Sequence, residues 1–280
     1  MDYEYAVIGG DKRQLFLADE LISHGHSVIC FGCFGSECKA DSAGLFEIAA
    51  CSAPDIICPV PISKDPSVFD SKLTGTDITI RMLVNELRSG QRLIAGRISP
   101  QLENSLAAKD VAVYDIMKNE SLAIYNSIAT AEGAICEAMV KSPLNLCGSR
   151  CAVLGYGRCG RSIADRLNGM HCHTDIYSTD EACLAAACSL GYTCMQLSGL
   201  EKYAGEYTFI FNTIPSMIIT SDIIHKLNKN VTITDIASGG GTDFDSAALA
   251  GIKAQLCSGL PGKYSPMSSG IMLARLIEAL

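Results

Sequence analysis

Residues 151–167 read CAVLGYGRCGRSIADRL: an apolar run, a glycine turn and a stretch of helical period in direct succession. Few local patterns restrict a chain more. Gly155, Gly157 and Gly160 form G-x-G-x-x-G, which carries weight only between a strand and a helix, with another strand about 20 residues on. A strand pattern at 174–177 meets that condition. In this setting Gly155 permits the tight turn, Gly157 lets a pyrophosphate approach the backbone, and Gly160 lets the helix pack against the strand. The helix N-terminus adds free N–H groups and the positive end of a dipole. Gly155, Tyr156, Gly157, Arg158, Cys159 and Gly160 are therefore the expected dinucleotide cradle; the competing reading is a plain glycine turn.

The second strand ends in DIYSTDE. A site for NAD usually places Asp or Glu there to hold the ribose hydroxyls. Ser178 and Thr179 take that place, with Asp180 and Glu181 beyond. Hydroxyls suit a 2′-phosphate better than a carboxylate does, although no arginine follows the strand. The pattern leans to NADP over NAD.

Around this motif the chain alternates strand and helix. The first half has strand patterns at 3–9, 27–32, 55–60, 92–96 and 111–115, helices near 12–23, 78–88 and 100–108, a loop-rich stretch after 32, and a Pro/Ser/Gly-rich segment at 61–76 read as surface loop. Residues 119–140 keep helical spacing to just before Pro143, which discourages continuation. The second half resumes with strands near 150–154, 174–177, 207–211, 231–236 and 252–257, and an apolar helix at 267–280. The rhythm predicts an α/β protein of two Rossmann-like parallel-sheet domains. These are a first domain of 1–118 on the substrate side and a nucleotide-binding domain of 119–280 that includes the long joining helix, with an interdomain cleft.

Loops after strands are where open α/β sheets bind ligands. FNTIPS sets Asn212, Thr213, Ile214 and Pro215 just past an apolar strand, and DIASGGGTDFD sets Ala237 and Ser238 past the next. All six are expected beside the cofactor. Thr242 and Asp245 fit a capping box for the following helix. GGDKRQ, at 9–14, lacks the G-x-G-x-x-G spacing and is not expected to hold a second nucleotide. Its Arg13 is a candidate carboxylate clamp, and Asp11 equally reads as a helix N-cap. CSGLPGKYSPMSSGIML reads as a rigid loop in which Lys263 offsets substrate charge and Tyr264 relays a proton, or in which both are ordinary loop residues.

Composition closes off other classes. A net charge of −8 gives nucleic acid or an anionic membrane no general attraction. The first residues lack an export signal and no run approaches a membrane span, so a cytoplasmic protein is expected. Fourteen cysteines without export imply reduced, packing thiols. Cys30 and Cys33 form one CxxC and residues 171–173 read HCH, but zinc-finger spacing is missing, and no metal is expected.

Taken in order, AVIGGDKRQ, ATAEGAI, VLGYGRCG, FNTIPSMI, DIASGGGTDF and GLPGKYSPMSSG span nearly the whole chain. This set resembles the A-subunit family of dipicolinate synthase, an enzyme that serves spore formation. The resemblance implies NAD(P)-dependent oxidation of a dihydrodipicolinate-type intermediate, from the lysine branch of the aspartate pathway, to dipicolinate. It also implies the flavoprotein-like B subunit of dipicolinate synthase as partner. Two departures stand out: Gly240 where the family often has proline, and Thr179 where it has arginine. A small dicarboxylate substrate needs cationic or hydroxyl clamps, for which Arg13, Arg97, Ser99, Ser127, Thr130 and Lys263 are candidates. Glu132 is the candidate proton handler, or a helix-surface carboxylate. Three alternatives stay open: a 2-hydroxyacid-dehydrogenase-like enzyme, a methylenetetrahydrofolate-dehydrogenase-like enzyme, and a nucleotide-binding scaffold or redox sensor in a flavoprotein complex. Homo-oligomerisation is also open.

Overall fold

The computed structural model describes residues 2–33 and 38–280; part of the loop-rich stretch after residue 32 lies outside them. The described chain forms two compact units, one of residues up to Tyr125 together with Ser265–Leu280, the other Asn126–Tyr264. The division falls inside the long helix, and the terminal helix joins the first unit. Both differ from the expected boundary at 118/119.

In the first unit the strands are β1 (Tyr5–Ile8), β2 (Val28–Phe31), β3 (Asp41–Ser42), β4 (Asp55–Ile57), β5 (Arg92–Ala95) and β6 (Ala112–Asp115). They pair in parallel in the order β3-β2-β1-β4-β5-β6. YAVI of β1 is buried throughout, as a strand covered on both faces requires. Helices α1 (Lys12–Ser23), α2 (Phe46–Ser52), α3 (Ile80–Glu86) and α4 (Pro100–Ala107) connect them, and α5 (Glu120–Lys141) leaves the unit.

The second sheet holds β7 (Arg150–Leu154), β8 (His173–Ser178), β9 (Thr193–Gln196), β10 (Phe209–Asn212), β11 (Thr232–Asp235) and β12 (Lys253–Leu256). Its order is β12-β11-β10-β7-β8-β9, again all parallel. Both orders are the doubly wound 3-2-1-4-5-6 arrangement, in which ligands meet the carboxyl edge where strand order reverses. In the second sheet that point lies between β7 and β10. Helices α6 (Arg158–Gly169), α7 (Glu181–Ser189), α8 (Leu200–Tyr203), α9 (Ser221–Ile224), α10 (Phe244–Leu249) and α11 (Leu260–Tyr264) complete the unit, and α12 (Pro266–Glu278) returns to the first.

Two segments differ from expectation. The stretch 61–76 is not a simple surface loop, because Ile62, Ser63 and Leu73 are buried and Ser63 pairs with Leu73 in an antiparallel bridge. The segment lies over the β1 turn: the Gly10 N–H donates to the Thr74 carbonyl at 2.6 Å, and a Cβ on Gly75 would sit 2.2 Å from the Gly10 carbonyl oxygen. The first sheet's own switch point is thus covered by its own chain. The segment 257–273 is largely helical, as α11 and the start of α12, with Leu260 buried. Among the described residues no helix is long and apolar enough to cross a membrane.

Candidate nucleotide site

Register brings the second sheet's carboxyl edge into line: Leu154 pairs with Tyr177 of β8 and Asn212 of β10, and Asn212 with Asp235 of β11. Every residue expected at the cofactor ends or follows one of these four strands. Gly155 has φ +91°, a region side chains rarely enter. A Cβ there would lie 2.4 Å from Thr213 Oγ1, which itself donates to the Leu154 carbonyl at 2.8 Å. Gly160 has no room for a side chain either, since its Cβ would stand 2.1 Å from the Gly155 carbonyl oxygen. Gly157 is the opposite case. It N-caps α6 without any side-chain cap bond, and a Cβ added there meets nothing within 4 Å. The three glycines thus divide into a positive-φ turn, an open helix start and a packing contact, an arrangement with room for a pyrophosphate at the α6 N-terminus.

The side chains of the turn divide by exposure. Arg158 is exposed. Tyr156 is buried against Tyr192 with ring centroids 6.2 Å apart, so only its backbone is available to a ligand. Cys159 is half-buried, and burial pushes its thiol pKa up. After β8, the Ser178 hydroxyl accepts from the Asp180 N–H at 3.0 Å and Thr179 is exposed. Asp180 is committed as N-cap of α7, accepting from Ala182 and Cys183 N–H groups at 2.8 and 3.2 Å. Those N–H groups hold its carboxyl below the ordinary value, with a smaller contribution from Arg161. The exposed Arg161, its guanidinium 5.3 Å from the Tyr156 ring centroid, brings a cation from α6 toward the end of β8.

The loops after β10 and β11 are tied together by a residue outside the expected cofactor set. Asp235 is fully buried. Its Oδ1 accepts from the Ala237 N–H at 3.0 Å, and its Oδ2 accepts from the Gly241 N–H and the Thr242 hydroxyl, both at 2.7 Å. Gly241 in turn accepts through its carbonyl from Ile218 and Ile219, and a Cβ on it would strike Ser216 O at 2.4 Å and Asn212 Nδ2 at 2.6 Å. Asn212 is spent on Ile214, donating to its carbonyl and accepting from its N–H. Ala237 is buried while Pro215 and Ser238 are exposed. The helix cap here is Asp243, bonded to Ser246; it is not Thr242, whose hydroxyl belongs to Asp235. A buried strand-end carboxylate followed by bare glycine N–H groups was the available sequence signal.

The proposed proton handlers stand elsewhere. Glu132 is an exposed residue of α5 paired with Arg166 at 3.3 Å. Arg166 lies nine residues past Gly157, about 13 Å along α6 at 1.5 Å per residue, which removes Glu132 from the glycine turn. It borders an apolar cavity of about 540 Å³ with Ile135, Cys136, Met139, Val140 and Met170. Lys263 is ion-paired to Glu137, and Tyr264 packs on Gly133, whose Cβ would sit 2.9 Å from its ring. Lys263 first, and Tyr264 to a lesser degree, hold the Glu137 carboxyl below its ordinary value. Ser127 is buried, its hydroxyl 2.8 Å from that of Ser162, and Thr130 is half-buried on the same helix.

In the first unit the Arg13 fork is occupied. Its guanidinium donates to both Asp11 oxygens and, at 2.6 Å, to the Val60 carbonyl, while Asp11 caps α1 in a capping box with Gln14. Burial would raise the Asp11 carboxyl, and Arg13 outweighs it so that the net shift is downward. Ser99 caps α4 and donates to Pro66 O at 2.9 Å. Arg97, at the carboxyl end of β5, differs from both. It is exposed and has φ +59°, a conformation held by its N–H donating to Asp115 at 3.1 Å. Among the described residues no group of three or more His, Cys, Asp or Glu side chains is arranged to hold a metal.

A family model described as the N-terminal domain of the dipicolinate synthase A subunit matches residues 4–117. The A subunit of dipicolinate synthase from Bacillus subtilis (strain 168) is 30% identical to the chain over 285 residues, covering 98% of this chain and 94% of that protein. The crystal structure of the corresponding A subunit from Bacillus halodurans superposes with a TM-score of 0.86 at 25% identity, covering 99% of this chain and 97% of the other. A transhydrogenase structure from Sinorhizobium meliloti shares the fold, with a TM-score of 0.70 at 14% identity over 99% of this chain and 92% of the other.

Proposed function

Because the chain belongs to the A-subunit family of dipicolinate synthase, we propose that it is the dehydrogenase subunit of such an enzyme, oxidising dihydrodipicolinate to dipicolinate with NAD(P)⁺ during spore formation. The observation that carries the reading is Gly157: an N-cap without a side chain, open on its outer side, on the helix that starts at the sheet's switch point. A bound nicotinamide nucleotide supplies the hydride acceptor. The chain's part is to hold it. The α6 N-terminus and Arg158 take the pyrophosphate, Ser178 and Thr179 take the adenosine ribose, and Thr213, Ile214, Pro215, Ala237 and Ser238 line the remaining wall. Aromatisation drives loss of hydride and proton from the substrate ring, so orientation matters more than a strong general base.

The nucleotide we favour is NADP⁺. Asp180, the acid nearest a ribose 2′ position, is used up as a helix cap, and Arg161 supplies the cation missing from the sequence after β8. Arg161→Ala should weaken NADP⁺ binding and leave NAD⁺ binding nearly unchanged; equal losses would refute the assignment. For the dicarboxylate, Arg97 is the clamp supported best, since Arg13 is engaged by Asp11 and Val60. A cytoplasmic complex with a flavoprotein-like B subunit completes the reading. One observation favours the scaffold alternative, namely that Glu132 and Lys263 are both held in ion pairs.

The test is reduction of NADP⁺ or NAD⁺, followed by nicotinamide absorbance, with freshly generated dihydrodipicolinate precursor and with or without the flavoprotein-like partner. Reduction with dipicolinate formed supports the dehydrogenase; tight nucleotide binding with no reduction in either mixture supports the scaffold. Arg97→Gly keeps the positive-φ backbone and deletes the cation, so it should raise the substrate KM at little cost in stability.

A further inference from the structure

We propose that Cys30 and Cys38 form a dithiol modification site in the first unit, which low-molecular-weight disulfides oxidise to a Cys30–Cys38 disulfide. Cys30 ends the buried part of β2, and its Sγ lies 4.0 Å from Cys38 Sγ. A disulfide needs about 2.05 Å, so the sulfurs close by about 2 Å, within reach of side-chain rotation. Cys30 is only 5% exposed, whereas Cys38 is partly open to solvent. One sulfur is thus accessible to a small oxidant and the other waits behind it. The third thiol nearby, Cys33, faces inward to the carbonyls of Val7, Gly9 and Phe31 at 3.6, 3.8 and 4.0 Å.

The division of labour follows from hydrogen bonding. Cys38 accepts from the Cys30 thiol and from the Ala40 N–H, which lower its pKa to about 7 against burial and the opposing charge of Asp19 on α1. Cys30 is held well above the ordinary range, first by hydrogen bonds to Cys33 and Cys38 and then by burial. The thiolate is the nucleophile in exchange. The Cys38 thiolate attacks one sulfur of the oxidant RSSR, forming a mixed disulfide and expelling RS⁻. Cys30 then attacks Cys38 Sγ, breaking the mixed S–S bond and expelling a second RS⁻. The proton given up by Cys30 passes to a departing thiolate. The protein loses two electrons, and the oxidant is reduced to two thiols. In the second unit Cys188 is exposed and Cys194 half-buried, and burial first and then Cys188 push Cys194 up to about 12.

The test is oxidation of the intact, reduced chain by glutathione disulfide, quenched with an alkylating agent, unfolded, relabelled with a second agent and read by mass spectrometry. Cys30 and Cys38 should resist both labels with a loss of two hydrogens, Cys33 should be labelled after unfolding, and the rate should rise with a midpoint near pH 7. Cys30→Ser should trap the glutathione adduct on Cys38, and Cys38→Ser should abolish the bond, each with unchanged far-ultraviolet circular dichroism. Three results would overturn the proposal: a lasting adduct on Cys38 in the unaltered chain, a bond through Cys33, or oxidation of Cys147 or Cys188 while Cys38 stays reduced.

Discussion

Gly157 and Gly160 stand three positions apart and make opposite demands. At Gly160 an added methyl would meet the Gly155 carbonyl at 2.1 Å, so Gly160→Ala should displace the turn and destabilise the second unit by about 1–3 kcal/mol. At Gly157 it meets no protein atom and φ is −77°, so Gly157→Ala should unfold within about 0.5 kcal/mol of the unaltered chain. Thermal unfolding of the two variants checks this; equal losses would mean that Gly157 is a packing glycine. The spacing made the turn legible from the sequence, because at Gly155 and Gly160 steric demand leaves only glycine. What stayed hidden at this scale was partnership. Arg13, Glu132 and Lys263 read as available charges, and each is held by Asp11, Arg166 or Glu137. Their partners stand from 2 to 126 positions away, and only the pair within α1's cap had a local signal.

At the scale of elements, the loops after β10 and β11 form one wall because Asp235 and Gly241 join them. Asp235→Asn replaces an acceptor of three hydrogen bonds by a group with one acceptor oxygen, facing at least one donor with its NH₂. It should cost about 1–3 kcal/mol and raise the nucleotide KM more than it lowers kcat; an unchanged KM would confine Asp235 to stability. The Glu137 carboxyl, between α5 and α11, is the pH-sensitive join. Its folded pKa is lowered by Lys263, so its contribution is present above the unfolded carboxylate pKa and lost as pH falls through the folded one. Glu137→Gln should therefore lower stability at neutral pH and converge on the unaltered chain as pH falls, which flattens the acid-side slope, as denaturation at a series of pH values would report. Strands with continuous apolar runs were legible, as YAVI and FIFN illustrate. Those missed lacked a signal: β3 is two exposed polar residues, β9 is the mixed TCMQ, α2 starts from Leu45 without a side-chain cap, and α11 contains the breakers Pro261 and Gly262.

For the whole molecule, the chain builds two sheets of one topology and treats their switch points differently. The first is covered by residues 74–76 lying on Gly9 and Gly10; the second keeps the open glycine turn. That contrast explains why a single nucleotide site is proposed for a twofold architecture, and the alternation of elements made the architecture legible while the placement of α12 was not. This helix packs on α1, with Gly270 so close that a Cβ would lie 2.5 Å from the Arg13 carbonyl oxygen. Gly270→Val should lower the stability of the first unit by about 1–3 kcal/mol and spare nucleotide affinity in the second; lost affinity at unchanged stability would contradict that division. The most direct measurement is calorimetric titration of NADP⁺ and NAD⁺ into the unaltered chain and Gly157→Ala in parallel. Binding to the unaltered chain is expected, tighter for NADP⁺, with a loss of about tenfold or more in the folded variant, equivalent to about 1.4 kcal/mol; equal affinity for both proteins would refute a nucleotide at the Gly157 turn.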